Sequence, residues 1–219
     1  MTLAPHQLAN QDSGDFEYMT PPEIIQTARI LFEKTTGRGI EMDPASSEDA
    51  NKFIGADHIW TIETNGLEQS WALPDGRPAN VWLNHPFGRT LSPQFMRKLL
   101  LEYNLGHIEQ ALNLTWANIE TQWFQHLWDF PMWVPEGRLQ FLDPATGKPK
   151  QRWDEKKGKF VNSGATKAAV ITYLGPYVNQ FAEVFTERHG GNVYVPYYTV
   201  SALTPVPPLY CPRLFFGDR

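Results

Sequence analysis

The apolar run Val81-Trp82-Leu83 breaks off at Asn84-His85-Pro86-Phe87-Gly88, and this stop constrains the chain more than any other stretch. Three apolar residues in succession predict a buried strand, and Pro86 cannot donate to a central ladder, so the strand ends at Asn84. In open α/β sheets, ligands bind outside the carboxyl ends of the strands. A carboxamide there can accept a hydrogen bond from an amino group, and a ring three residues on can lie against a flat ligand. Both features suit the exocyclic amine of a nucleobase drawn out of its stack. A strand end followed by a proline turn explains the same letters, so the stretch needs support from its neighbours.

That support comes from the order of segments around it. Thr20-Pro21-Pro22-Glu23 opens a helix in which Thr20 is expected to cap and Glu23 to complete a capping box; Ile24, Ile25, Ala28, Leu31 and Phe32 share one face before Gly37. Ile40 to Asp43 predicts a short strand that delivers a carboxylate to its carboxyl end, followed by Pro44-Ala45-Ser46-Ser47. Small residues there let a ligand approach the backbone, although Asp-Pro is also a common turn opener. Glu48 to Ile54 reads as a helical turn and His58 to Ile62 as a strand. Beyond Ser92-Pro93, Phe95, Met96, Leu99, Leu100 and Tyr103 mark a second amphipathic helix. A parallel strand is expected near Ala111 to Leu114, a short helix over 120–128, and a hairpin-like pair from 132–134 and 138–142. Ala168 to Leu174 predicts another strand, Tyr177 to Glu187 a helix, and Val193 to Val195 a last strand.

At 219 residues the chain suits one sizeable core. Residues 1–15 read as a flexible polar lead, 16–200 as a single domain with a basic insertion at 146–167, and 201–219 as an irregular proline-rich tail. No apolar run reaches the roughly 18 residues of a membrane span, and the polar start has no signal layout, so a cytoplasmic protein is expected. The single Cys211 excludes an intrachain disulfide framework, and the histidines show no metal-ligand spacing. Net charge is −5. From Lys148 to Lys167, however, seven cationic side chains face two carboxylates, a local +5 that leaves −10 on the remainder. A basic segment can meet phosphates on an acidic protein because screening over about 8 Å hides the far side; a solvated lysine-rich loop has the same composition.

The succession of Thr-Pro-Pro helix, strand to Asp-Pro-Ala-Ser and strand to Asn-His-Pro-Phe resembles the phage-type DNA N-6-adenine methyltransferases. Asn65-Gly66-Leu67, Trp71, Trp123-Phe124, Gly137-Arg138 and Tyr173-Leu174-Gly175 extend the resemblance over residues 16–191. It implies a Rossmann-like α/β fold with a mostly parallel central sheet, S-adenosylmethionine as cofactor, DNA as partner, no metal, and protection of a viral genome from host nucleases as purpose. It also implies that Tyr18, Thr20 and Pro21 lie beside the cofactor and that Asp43, Pro44, Ala45 and Ser46 form its loop. Asn84, His85, Pro86 and Phe87 match the amine-methylating signature, with His85 in place of its usual proline and Phe87 in place of its tyrosine. Arg138, Lys150, Arg152, Lys156, Lys157 and Lys159 are the expected DNA contacts. Two alternatives fit the same residues: modification of the cytosine amine or transfer of another group, and a DNA-binding protein that keeps the fold without turnover.

Overall fold

A computed structural model describes residues 19–142, 148–149, 151–162 and 168–196. Its centre is a seven-stranded sheet in the order β2-β1-β3-β4-β8-β5-β9. The strands are β1 (Met42–Asp43), β2 (His58–Ile59), β3 (Ala79–Leu83), β4 (Ile108–Trp116), β5 (Met132–Val134), β8 (Ala169–Leu174) and β9 (Asn192–Tyr194). β2, β1, β3 and β4 run parallel, whereas β8 is antiparallel to both β4 and β5, and β9 is antiparallel to β5. Half of the neighbour pairs are therefore antiparallel, where a mostly parallel sheet is expected from the sequence. An apolar run such as Ala169–Leu174 reports burial on both faces and carries no information on direction.

Strand alternation sorts the core into two layers. Trp82, Leu112, Leu114 and Tyr173 face α1 (Pro22–Thr36) and α5 (Val178–His189), whereas Val81, Leu83, Ala111 and Val170 face α3 (Leu91–Asn104). α1 buries Ile24, Ile25, Ala28, Leu31 and Phe32, the face that helical spacing marks out. α2 (Glu48–Ile54) starts at Ser47, whose hydroxyl accepts from the Ala50 amide at 3.1 Å. The 120–128 segment forms one helical turn, α4 (Gln122–Gln125), continued by a 3-10 turn over His126–Asp129.

Two local expectations need correction. Thr20 does not cap α1: the N-cap is Pro21, with no side-chain cap bond, because the Thr20 hydroxyl is engaged elsewhere. Residues 138–142 do not pair with 132–134, which instead lies between β8 and β9; Leu142 forms bridges to Met19 and Pro149. Pairing with β8, at the end of a five-stranded platform, is stronger than a local hairpin across Pro135. The basic segment contains a separate antiparallel pair, β6 (Gln151–Asp154) and β7 (Lys159–Asn162), joined by a turn. Residues 1–15 and 201–219 lie outside the described residues.

Candidate functional site

The chain leaves β1 toward β2 on one side, then returns to place β3 on the other side of β1 and proceeds outward to β4. The reversal between β1 and β3 is a topological switch point, the place where open α/β sheets bind ligands beyond the carboxyl ends of their strands. Asp43 is the last residue of β1, and Asn84 follows the last residue of β3. The pairing of Met42 with Val81 sets Asp43 level with Trp82, so Asn84 lies two residues further toward that edge.

Asn84 is held by the start of α1. Its Nδ2 donates to Thr20 Oγ1 at 3.1 Å, and Thr20 is 5% exposed. This bond fixes the orientation of the carboxamide and makes Oδ1 its opposite, acceptor end; that oxygen is also buried. Thr20 is itself located by an antiparallel bridge in which Met19 and Leu142 exchange backbone bonds at 3.1 and 2.9 Å. The same bridge brings Phe141 beside Phe87, with ring centroids 6.2 Å apart. Phe87 also packs on Trp116 at 4.5 Å and is 5% exposed, so stacking on a base requires this aromatic cluster to open. Trp116 is expected from the sequence only as a weaker neighbour of the DNA-facing segment, and Phe141, which meets it at 5.4 Å, is the part of this wall with no signal of its own, since an aromatic residue in a core-forming pattern reads as core.

His85 falls on the other face by strand alternation, although its ring still meets Phe87 edge-on, with centroids 5.4 Å apart. Its imidazole is 1% exposed, stacks on Phe95 at 5.6 Å and donates from Nδ1 to the Pro86 carbonyl at 3.0 Å. Burial lowers its pKa to about 4, outweighing the Pro86 bond, so the ring is neutral at pH 7. The ring is thus part of the core under α3, whereas the backbone carbonyl at 85 remains next to Asn84.

Asp43 is 1% exposed, and desolvation pushes its pKa up to about 7. The Ala45 amide, donating at 3.1 Å, and the nearby Ser46 hydroxyl act in the opposite direction. Ser46 Oγ is buried and lies outside hydrogen-bond geometry. The Asp43-Pro44-Ala45-Ser46 loop is pressed from above by the Asn65-Gly66-Leu67 turn: a Cβ at Gly66 would collide with the Pro44 carbonyl oxygen, and Trp71 Nε1 donates to the Gly66 carbonyl at 2.8 Å. The Asp43 carboxyl and the Ser46 hydroxyl, which among the described residues makes no hydrogen bond within geometric limits, are thus two buried polar groups side by side at the end of β1.

The polar groups of the two sheet edges differ in the same sense. At the amino edge, Glu41, Asn80, Gln110 and Tyr173 form a connected network: Glu41 accepts from the Asn80 amide at 3.0 Å, Gln110 donates to Asn80 at 3.1 Å, and Tyr173 donates to Gln110 at 2.9 Å. Toward the carboxyl half, His85 Nε2, Asn113 Oδ1, Thr115 Oγ1 and Thr172 Oγ1 are buried and, among the described residues, have no hydrogen-bond partner. A shallow cleft of about 250 Å³ lies at the amino edge, lined by Glu41, Asp57, His58, Leu73, Asp75 and Arg77, and so away from Asp43 and Asn84.

The expected DNA contacts divide. Lys156, Lys157 and Lys159 are exposed and sit together on the β6–β7 pair, and Arg138 is exposed on the loop after β5. Tyr18, Lys150 and the Arg152 side chain lie outside the described residues. Among the described residues no group of three or more His, Cys, Asp or Glu is arranged to hold a metal, and no helix is long and apolar enough to cross a membrane. No protein-family model matches the chain, and no curated protein matches it.

Proposed function

We propose that this protein is a Rossmann-like, S-adenosylmethionine-dependent DNA adenine methyltransferase acting on the exocyclic amine of a base extruded from the duplex. The observation that carries this reading is the hydrogen bond from Asn84 to Thr20 beside the β1–β3 switch point. It joins the Thr-Pro start of α1 to the Asn-His-Pro-Phe end of β3, two segments that the resemblance assigns separately to cofactor and amine.

An adenine amine is a weak nucleophile because its lone pair is delocalised into the ring. Two acceptors that hydrogen-bond its N–H groups favour a pyramidal nitrogen with the lone pair localised, and the proton that nitrogen sheds after methylation would pass to water. Asn84 Oδ1, oriented through Nδ2 and Thr20, is one acceptor, and the His85 backbone carbonyl is the other. Their orientation before the reaction stabilises the charge that develops on nitrogen without reorganisation. Asp43, Ala45 and Ser46 would hold the cofactor, which when bound supplies an activated methyl group. The His85 imidazole takes no part as a base, since it is turned into the core and is bonded to Pro86.

Incubation with methyl-labelled S-adenosylmethionine and duplex DNA, followed by digestion to nucleosides, is expected to place the label on adenine. Label on cytosine would transfer the reading to that base. Binding of both ligands with no label would leave a DNA-binding protein. Asn84→Ala should lower the transfer rate by about 10²-fold or more while cofactor affinity stays within a few-fold. An unchanged rate would remove Asn84 from the chemistry.

A further inference from the structure

The β6–β7 pair carries more than lysines. All eight tryptophans of the chain fall within the described residues; Trp60, Trp123 and Trp128 are half-buried, and Trp153, at 54%, is the most exposed. It sits on a ribbon whose two strands pair with each other and not with the main sheet. An isolated two-stranded ribbon is marginal in water and gains from a partner surface. Trp153 is in register with position 160, so Lys159, one residue earlier on the facing strand, belongs to the opposite face of the ribbon from Trp153. Gly158, at φ 59°, completes the turn that presents Lys156 and Lys157 at the tip.

The charge distribution identifies the partner. Residues 148–162 hold six cationic side chains and two carboxylates, net +4, against −9 for the rest of the chain. A polyanion is repelled by most of this protein and attracted at the ribbon, and screening over about 8 Å keeps the two influences separate. A two-stranded ribbon fits the major groove, about 12 Å wide. An exposed indole adds what phosphate contact does not need: a flat apolar face for a base that has lost its neighbour.

We propose that the β6–β7 ribbon is a DNA-binding finger in which Lys156, Lys157 and Lys159 meet phosphates while Trp153 stacks on an unstacked base next to the extruded one. This rests on the DNA reading above and does not require methyl transfer.

The test uses the full chain, fluorescein-labelled duplexes with and without one abasic site, and anisotropy titrations between 50 and 200 mM salt. The parent should prefer the abasic duplex. Trp153→Ala should weaken binding to it by about tenfold with the salt slope unchanged, and Trp153→Phe should retain most of the affinity. Replacing Lys156, Lys157 and Lys159 together by Ala should instead reduce the slope by about 2 to 3 and leave the abasic preference in place. Because Trp153 is exposed, its variants should keep the parental circular dichroism. Parental affinity of Trp153→Ala for both duplexes would overturn the proposal, as would a change in its sedimentation mass without a change in DNA binding, which would make the ribbon a self-association surface. The two readings fail separately. A parent that binds DNA through Trp153 but transfers no label loses the methyltransferase assignment alone, and one that transfers label with Trp153→Ala binding normally loses the finger alone.

Discussion

Asp43 and His85 are both buried in their neutral forms, and burial affects their titration in opposite directions. Asp43, raised to about 7, contributes stability that is full below pH 4 and is lost as pH rises through 7. His85, lowered to about 4, contributes stability that is full above pH 6.5 and is lost as pH falls through 4. Across pH 4 to 7 these slopes oppose each other, each on the order of a few kcal/mol. Denaturant melts of the parent, Asp43→Asn and His85→Gln over this window should therefore diverge. The Asp43→Asn chain gains relative to the parent as pH rises, and His85→Gln gains relative to it as pH falls; parallel curves would mean that neither side chain is buried neutral. Thr172 offers a simpler test in the same layer as His85. Its hydroxyl is fully buried and, among the described residues, unpartnered, so Thr172→Val should raise stability by about 1 kcal/mol in thermal unfolding. A loss of that size would indicate that the hydroxyl is engaged.

Among the elements, α1, α3 and α5 were legible because each buries a face repeated at helical spacing, and β3 because Pro86 marks its end. Asp43 and Asn84 could be placed at strand ends for the same reason. The Thr20–Asn84 bond could not be foreseen, since Thr20 before two prolines has every local attribute of a cap and is diverted by a contact 64 residues away. Likewise nothing in Arg138 to Leu142 distinguishes a hairpin partner from a segment that pairs with Met19, because that choice is made by the rest of the sheet. The ribbon leads to a prediction at this scale. It has its own two-stranded pairing, so replacing residues 151–162 with a short Gly-Ser link, which leaves the Leu142–Pro149 bridge in place, should move the melting temperature by only a few degrees and abolish DNA binding, with cofactor binding retained. Cooperative loss of the whole fold in the circular dichroism spectrum would show that the ribbon is integral to the core.

At the level of the whole molecule, the sheet has two halves with different tasks. The parallel half, β2-β1-β3-β4, contains the switch point, and the antiparallel half, β8-β5-β9, closes the core and carries the ribbon in the connection between β5 and β8. The site takes one residue from before α1, one from each of two strand ends, and a wall from β4 and the stretch after β5. The Met19–Leu142 bridge is the clasp between these parts. During synthesis, Thr20 emerges early and has no counterpart until Asn84 follows, and it is not pinned until Leu142 has left the ribosome. A product terminated ahead of position 142 would possess both the amide and the hydroxyl and yet lack the latch that sets one against the other.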